Sequence, residues 1–434
     1  MAAILNEGGP ALSIEADRLA RDLVASRARM LRITAGLDGE RLFGPKLAIV
    51  NPPLWEIGHV AWFQERWCLR LRADGSLAEP MLAGADALYD SAKVAHDTRW
   101  DLPLPDLAAT RAYGEEVLAR VLARIEREPE NAALCYFVRL ATFHEDMHAE
   151  AFHYTRQTLG YEDPFAAVPA TTSAAVPRGD VELAGGGFEL GANATEGFVF
   201  DNEKWAHRVE IAPFRISRCA VTNAEFLAFV EADGYARREF WSEEGWAWRT
   251  GADARAPRYW KWREGAWLQR RFARWLPLAP DEPVLHVNWY EANAFCRYAG
   301  RRLPSEPEWE YTASVDIGEK RRYPWGADEP TPERANLEAA APLPVANLPA
   351  GESAGGCRQL IGNVWEWTAS TFGPYPGFVV DPYREYSAPW FGTHKVLRGG
   401  SFATPARLIR NTWRNFYTPD RGDIFAGFRT CAAD

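Results

Sequence analysis

His144 and His148, in the run His144-Glu145-Asp146-Met147-His148-Ala149-Glu150, are the residues whose types and spacing most directly suggest chemistry. On an α-helix that spacing puts both imidazoles on one face about one turn apart, where they can bind one metal ion together. Leu134, Phe137, Ala141, His144, His148, Ala151 and Thr155 recur at alternating steps of three and four. This is the inward stripe of a bundle helix, with histidines where leucines usually stand. Polar groups on such a stripe are costly unless they are hydrogen-bonded or metal-bound. His59 shares a helical stripe with Trp55, Trp62 and Phe63, so it also points inward and is the candidate third ligand. Imidazole suits Fe, Zn, Cu or Ni, and three protein ligands leave positions open for substrate or O2. Glu150 lies about 200° around the helix from His148. It is a poor ligand from that face and fits better as a second-layer or helix-packing group. His96, His153, His207, His286 and His394 lack comparable context and read as structural or surface groups.

His144-Glu145-x-x-His148 is also the pattern of zinc peptidases, in which the Glu is general base. Their extended form needs Gly and His where this chain has Ala151 and Tyr154. A zinc peptidase is therefore one competing reading. A non-catalytic ligand-binding module with structural histidines is another.

The elements that must hold these residues fall in the first 165 positions. Ser13 is the expected cap of a helix running from Ile14 to about Leu37. A second helix begins near Pro53 and carries His59. After a long connection containing Arg99, a third runs from about Asp106 to Glu128, and a fourth from Asn131 to Leu159 carries the paired histidines. Four amphipathic helices predict a four-helix bundle, whose core is a usual place for metal sites. Residues 166–179, rich in Pro, Ala, Thr and Ser, read as a linker. Residues 180–434 change texture, with short apolar runs broken by Gly, Pro and Trp. Only Asn223–Asp233 and Trp289–Ala299 read as helices there. The expected fold class is α + (α+β), a bundle followed by an irregular α+β domain.

At 434 residues the chain is long enough for two or three domains, and 47% apolar with 25% charged residues is an ordinary globular balance. A net charge of −10 argues against nucleic acid or an anionic membrane as the main partner. No secretory signal or run of about 18 apolar residues is evident. The six cysteines lack any C-x-x-C spacing. They read as free buried thiols of a cytoplasmic protein.

Five motifs of the second half occur in order: Val221-Thr222-Asn223-Ala224-Glu225-Phe226, Leu303 to Tyr311, Gly362-Asn363-Val364-Trp365-Glu366-Trp367, Arg398-Gly399-Gly400-Ser401-Phe402 and Gly427-Phe428-Arg429. Together they resemble the formylglycine-generating-enzyme-like (sulfatase-modifying factor, C-type-lectin-like) fold. The oxidases of that family carry a cysteine pair where this chain has Thr404 and Ile409, so formylglycine-generating activity is not expected. The first half resembles a DinB-like bundle, including the H-x-x-x-H-x-E motif of His144, His148 and Glu150. The two together resemble the EgtB-type nonheme iron sulfoxide synthases of ergothioneine biosynthesis, over essentially the whole chain.

That resemblance implies Fe(II) held by His59, His144 and His148, and O2-driven joining of the imidazole C2 of hercynine to a sulfur donor. It implies a second domain that closes over the metal and supplies substrate contacts. Tyr383 and Tyr386 match the family's tyrosine-bearing loop, and Tyr383 is the first choice for a proton or hydrogen-atom donor. Trp413, Phe416 and Tyr417 fall in the stretch matching its substrate pocket, where aromatic faces suit the quaternary ammonium of hercynine. Arg99, Arg414 and Arg421 are candidate donor contacts. A structural Ca²⁺ at Asn363 and Glu366 is a further implication. The chain also departs from the ergothioneine pattern. Met147 stands where Gln is expected, and Asn415-Phe416-Tyr417 replaces an Asn-Trp-Asp run. Losing an acidic residue from the donor pocket disfavours a γ-glutamylcysteine-type donor. The chain is thus most similar to the selenoneine synthases (SenA), which join hercynine to a seleno-sugar, with a thiol-using synthase as the alternative.

Overall fold

The structure, a computed structural model, describes residues 14–165, 175–316 and 319–433. Contacts divide the chain into two units, between Thr155 and Arg156. Helices α1 (Ile14–Ile33), α2 (Pro53–Glu65), α3 (Ala85–Tyr89), α4 (Leu107–Arg127) and α5 (Ala132–Leu159) come first. The first helix stops one turn short of Leu37, and its expected cap, Ser13, lies outside the described residues, as does 166–174 of the expected linker.

Each bundle helix has a local reason to form. Asp106 caps α4 by accepting from the Ala109 N–H (2.8 Å). Pro53 occupies the first position of α2, where its missing N–H costs nothing. Every residue of α2 is buried, so this helix is enclosed on all sides rather than amphipathic. α5 is also buried more widely than its histidine stripe. Thr142, Glu145, Asp146 and Ala149 form a second inward face. There Ser26 of α1 donates to Asp146 (2.7 Å) and Arg27 of α1 pairs with Glu145 (2.6 Å). A bundle helix that buries two faces must satisfy the polar groups on both.

The second unit begins with the last turn of α5, ten residues before the expected boundary. There Gln157 Nε2 donates to the Arg270 carbonyl (2.9 Å) and Arg156 Nη2 to that of Glu162 (2.8 Å). Its strands are β1 (Asp180–Leu183), β2 (Gly186–Leu190), β3 (His207–Ile211), β4 (Phe214–Ser217), β5 (Trp260–Arg263), β6 (Ala266–Arg271), β7 (Arg274–Pro277) and β8 (Arg301–Arg302). They continue as β9 (Val315–Asp316), β10 (Glu319–Lys320), β11 (Trp365–Thr371), β12 (Lys395–Arg398), β13 (Asn415–Tyr417), β14 (Ala426–Gly427) and β15 (Cys431–Ala432). Two four-stranded sheets, ordered β1-β4-β15-β8 and β13-β12-β11-β14, carry the core, and β5-β6-β7 forms a separate three-stranded meander.

Among the described residues of this unit four helices are present rather than the two expected: α6 (Asn223–Glu231), α7 (Glu243–Gly251), α8 (Trp289–Tyr298) and α9 (Glu306–Ser314). α7 and α9 are rich in Glu and Trp and lack the clear apolar stripe of α6, yet both have hydroxyl caps. Ser305 with Glu308 forms a capping box before α9, a signal the sequence does carry.

The recognised motifs meet in the core as buried ion pairs. Arg398 bonds Glu306 (3.0 Å) and Glu310, and Arg429 bonds both oxygens of Glu366 (2.6 and 2.7 Å). Arg414 grips Glu306 (2.7 and 3.0 Å), and Arg410 pairs with Glu203. All four arginines are buried. Such motifs are architectural, because a buried charge needs a charged partner and filled hydrogen bonds.

Candidate metal centre

Three histidines from two helices converge inside the bundle. His59 of α2 and His144 and His148 of α5 each offer a ring nitrogen, and these atoms lie within 4.8 Å of one another. Ring centroids are 5.1 Å apart for His59 and His144, 5.0 Å for His59 and His148, and 4.4 Å for His144 and His148. His59 and His144 are 2% and 3% exposed. Burial, with the neighbouring imidazoles adding to it, holds both far below the usual histidine pKa. They are therefore neutral near pH 7, the form that binds a metal.

Two contacts fix which nitrogen faces the centre. His59 Nδ1 lies 2.8 Å from the Tyr89 carbonyl, an acceptor, so it is Nδ1 that carries the proton. His148 Nδ1 lies 2.5 Å from Glu56 Oε1 and donates in the same way. Both leave Nε2 for a metal, and the acceptors are the outer-layer partners that set ring orientation and ligand basicity. His144 is held differently: its ring stacks on Phe63 at 3.6 Å and 5°. The three imidazoles, with the Nδ1 atoms of His59 and His148 tied off, fit a divalent transition metal.

Glu56, Tyr89 and Gly58 were not singled out in the sequence. Glu56 did leave a trace, as the one acidic residue in the run Pro53 to Phe63, which is apolar apart from it and His59. Tyr89 left none, because it reaches α2 from a short helix in the connection. Gly58 makes that approach possible: a Cβ there would stand 2.3 Å from the Tyr89 ring. The connection is itself anchored by Arg70, which bonds both oxygens of Asp86 (2.7 and 2.8 Å), while Trp62 Nε1 donates to Asp86 (2.7 Å). The Arg70 hydrogen bond holds the Asp86 carboxyl down to about 2.

The Glu of the peptidase-like pattern is otherwise engaged. Glu145 is 1% exposed, and its two oxygens accept from Arg27 Nε (2.6 Å) and Nη2 (3.3 Å). A carboxylate closed by a buried guanidinium does not serve as the general base of a peptidase. Glu150 is 7% exposed, and Met147 is half-buried beside His148. Arg99 lies over the Trp55 ring at 3.9 Å, and that ring stacks on His59 at 4.9 Å. Its Nη atoms donate to Asn51 (2.6 Å) and the Val94 carbonyl (3.2 Å). Its buried Nε–H makes no hydrogen bond among the described residues.

In the second unit Tyr383, Tyr386 and Phe416 come together. The two tyrosine rings are 5.9 Å apart, Tyr386 lies 5.9 Å from Phe416 and stacks on Phe200 at 4.4 Å. Burial pushes the Tyr386 phenol well up. His394, expected to be structural or at the surface, also meets Phe416 (5.9 Å). Asn415, Phe416 and Tyr417 form β13, so Phe416 faces opposite to its two neighbours. Arg421 lies over Tyr417 (4.8 Å) and pairs with both oxygens of Asp423 (2.6 and 2.7 Å).

Two expectations are corrected, for Arg414 and for Ca²⁺. Arg414 is 1% exposed and spent on Glu306 and the carbonyls of Asn202 (2.7 Å) and Gly373 (3.1 Å), so it is a core cation and not a donor contact. Trp413 is 3% exposed, packed edge-on against Trp365 and in contact with the Tyr386 phenol. The Ca²⁺ expectation fails because its ligands are taken. Asn363 Oδ1 accepts from Asn336 (2.9 Å) and the Leu343 N–H (2.7 Å), and Glu366 is closed by Arg429 and Trp309. All six cysteines are free thiols, five buried and Cys135 half-buried. Thr404 and Ile409 are buried as well. No helix of the described residues is long and apolar enough to cross a membrane.

A histidine triad able to hold a metal in a helical bundle, joined to a domain cored by arginine–carboxylate pairs, fits a metal-dependent enzyme of two fused modules. Residues 22–152 match the DinB superfamily, and residues 165–434 match the sulfatase-modifying factor enzyme 1-like domain. The hercynine oxygenase of Mycolicibacterium thermoresistibile is 39% identical over 433 residues, covering 95% of this chain and 94% of the relative. That of Mycobacterium tuberculosis is 38% identical over 426 residues, covering 95% and 98%. The formylglycine-generating enzyme of Streptomyces coelicolor is 35% identical over 305 residues, covering 62% of this chain and 96% of the relative. The chain belongs to the EgtB-type family of oxidoreductases.

Proposed function

We propose that this protein is a nonheme Fe(II)- and O2-dependent enzyme that joins the imidazole C2 of hercynine to a chalcogen donor, and that the donor is a seleno-sugar. The convergence of His59, His144 and His148 within 4.8 Å, in a chain so similar to hercynine oxygenases, carries the reading. Bound there, Fe(II) supplies open coordination positions and one-electron chemistry with O2. Glu56 and the Tyr89 carbonyl hold two ligand rings in one tautomer, and Phe63 fixes the third by stacking. Tyr383, with Tyr386 as its neighbour, is the proposed proton or hydrogen-atom donor. Arg99 has an unused buried Nε–H for an acceptor on the substrate.

The choice of donor rests on charge. Asn415-Phe416-Tyr417 brings no carboxylate for an ammonium group, and Asp423 already neutralises Arg421, which weakens its hold on a second carboxylate. A sugar needs neither partner. A thiol-using synthase, taking γ-glutamylcysteine or cysteine, is the alternative within the same chemistry. The free thiols fit a cytoplasmic setting. Competition decides the donor: hercynine and O2 are offered with a seleno-sugar, γ-glutamylcysteine and cysteine, and the products are weighed by mass spectrometry. The seleno-sugar adduct is expected to predominate. Preferential turnover of γ-glutamylcysteine contradicts the donor assignment, and no hercynine adduct at all contradicts the reaction.

A further inference from the structure

The meander β5-β6-β7 and helix α6 enclose an open groove of about 470 Å³, in the range of small-ligand sites. One wall is the stripe Ala224, Leu227, Ala228 and Glu231, spaced as one face of α6. The other is aromatic. Trp262 and Trp267 are direct cross-strand partners on one face of the β5–β6 hairpin, with centroids 5.7 Å apart and planes at 64°. Trp260 on the same face packs edge-on against Phe226 (6.1 Å) and is buried, whereas Trp262 is 58% exposed. The two alanines on α6 leave the groove unfilled.

The charge of the groove has one sign. Glu231 is its only charged lining residue, and its carboxylate makes no hydrogen bond or ion pair among the described residues. It is the last residue of α6, where the helix carbonyls already place negative potential and a carboxylate is locally unfavourable. The two cations flanking Trp262 in the chain have contacts of their own: Lys261 lies over Trp275 (3.5 Å), and Arg263 pairs with Glu264 (3.0 Å). Two indoles at a steep angle beside an uncompensated carboxylate favour a cation. Glu231 is the one side-chain acceptor among the lining residues, so an ammonium or guanidinium would lose hydrogen bonds to water that the side chains do not replace. A quaternary ammonium has no such bonds to lose.

We propose that this groove binds small molecules bearing a trimethylammonium group, at a site built from α6, the β5–β6 hairpin and the segment with Leu278 and Pro280. The test uses the full chain labelled with ¹⁵N at the indoles, with the Trp262 and Trp267 resonances assigned through Trp262→Phe and Trp267→Phe. Choline is titrated against its neutral isostere, 3,3-dimethylbutan-1-ol. Choline is expected to shift both resonances saturably and at least about fivefold more tightly than the alcohol. Glu231→Gln, an exposed change that leaves the fold intact, is expected to weaken choline about two- to fivefold without affecting the alcohol. Equal affinity for the two probes, or no saturable shift with either, overturns the proposal.

Discussion

In the bundle, His59 and His144 are buried as neutral bases whose rings face one point; in the second domain, Arg398, Arg414 and Arg429 are buried as cations, each closed by a carboxylate. Burial favours the neutral form of a histidine at little cost, because its proton is lost near neutral pH anyway. An arginine cannot take that route, so it is buried only with its counter-charge. The same desolvation thus yields a set of ligands in one region and a set of struts in the other. A motif recognised in a sequence can therefore mark chemistry or architecture, and the partner of the charged group decides which.

The largest expected effect tests this division directly. Arg398→Met removes the guanidinium shared by Glu306 and Glu310, leaving them only Arg414 and Lys320, and is expected to cost about 3–5 kcal/mol of stability, measured by chemical denaturation. His144→Ala is expected to leave the second domain's unfolding transition in place while abolishing metal binding, measured by elemental analysis. If the two substitutions have the same effect on metal content per folded chain, the comparison fails.

The next effect sharpens the metal side. Glu56→Gln keeps the shape but removes the acceptor charge from His148 Nδ1, and is expected to weaken metal affinity about 10- to 100-fold in a chelator competition. Unchanged affinity would make Glu56 a packing residue. Gly58→Ala drives a methyl into the Tyr89 ring and is expected to cost about 1–3 kcal/mol, loosening the His59 contact with it.

The smallest effect concerns pH. The folded pKa values of His59 and His144 lie well below 6.5, so below about pH 6.5 the unfolded chain binds protons that the folded metal-free chain does not. The stability that neutral burial preserves is whole above pH 6.5 and falls as the pH drops toward the folded values. A denaturation series from pH 7.5 to 5.5 should show this slope, and it should flatten in a His59→Asn, His144→Asn double variant. An equal slope in that variant assigns the effect to other groups.

The histidine pair was legible because α5 is long enough to show its period, and His59 because it shares a stripe with Trp55 and Trp62. The second face of α5 was not, since Glu145 and Asp146 look like solvent residues until α1 supplies Arg27 and Ser26. Arg414 and Trp413 sit beside Asn415 to Tyr417 in the chain and were read with them. Yet Arg414 points into the core, which only its pairing with Glu306 reveals, while Trp413 packs between Trp365 and Tyr386. Helices α7 and α9 went unread because nine residues with several tryptophans or glutamates carry no clear apolar stripe. Local spacing shows what one helix offers, while non-local partners decide whether a charge is a ligand, a strut or a base.

The central claim is that His59, His144 and His148 hold one ferrous ion with positions open to exogenous ligand. Electron paramagnetic resonance of the anaerobically purified chain exposed to nitric oxide tests it most directly, alongside elemental analysis. The account predicts a high-spin ferrous–nitrosyl signal at about one equivalent of iron, absent in His144→Ala and retained in Glu145→Gln. Zinc in place of iron, or a nitrosyl signal that survives His144→Ala, would contradict it.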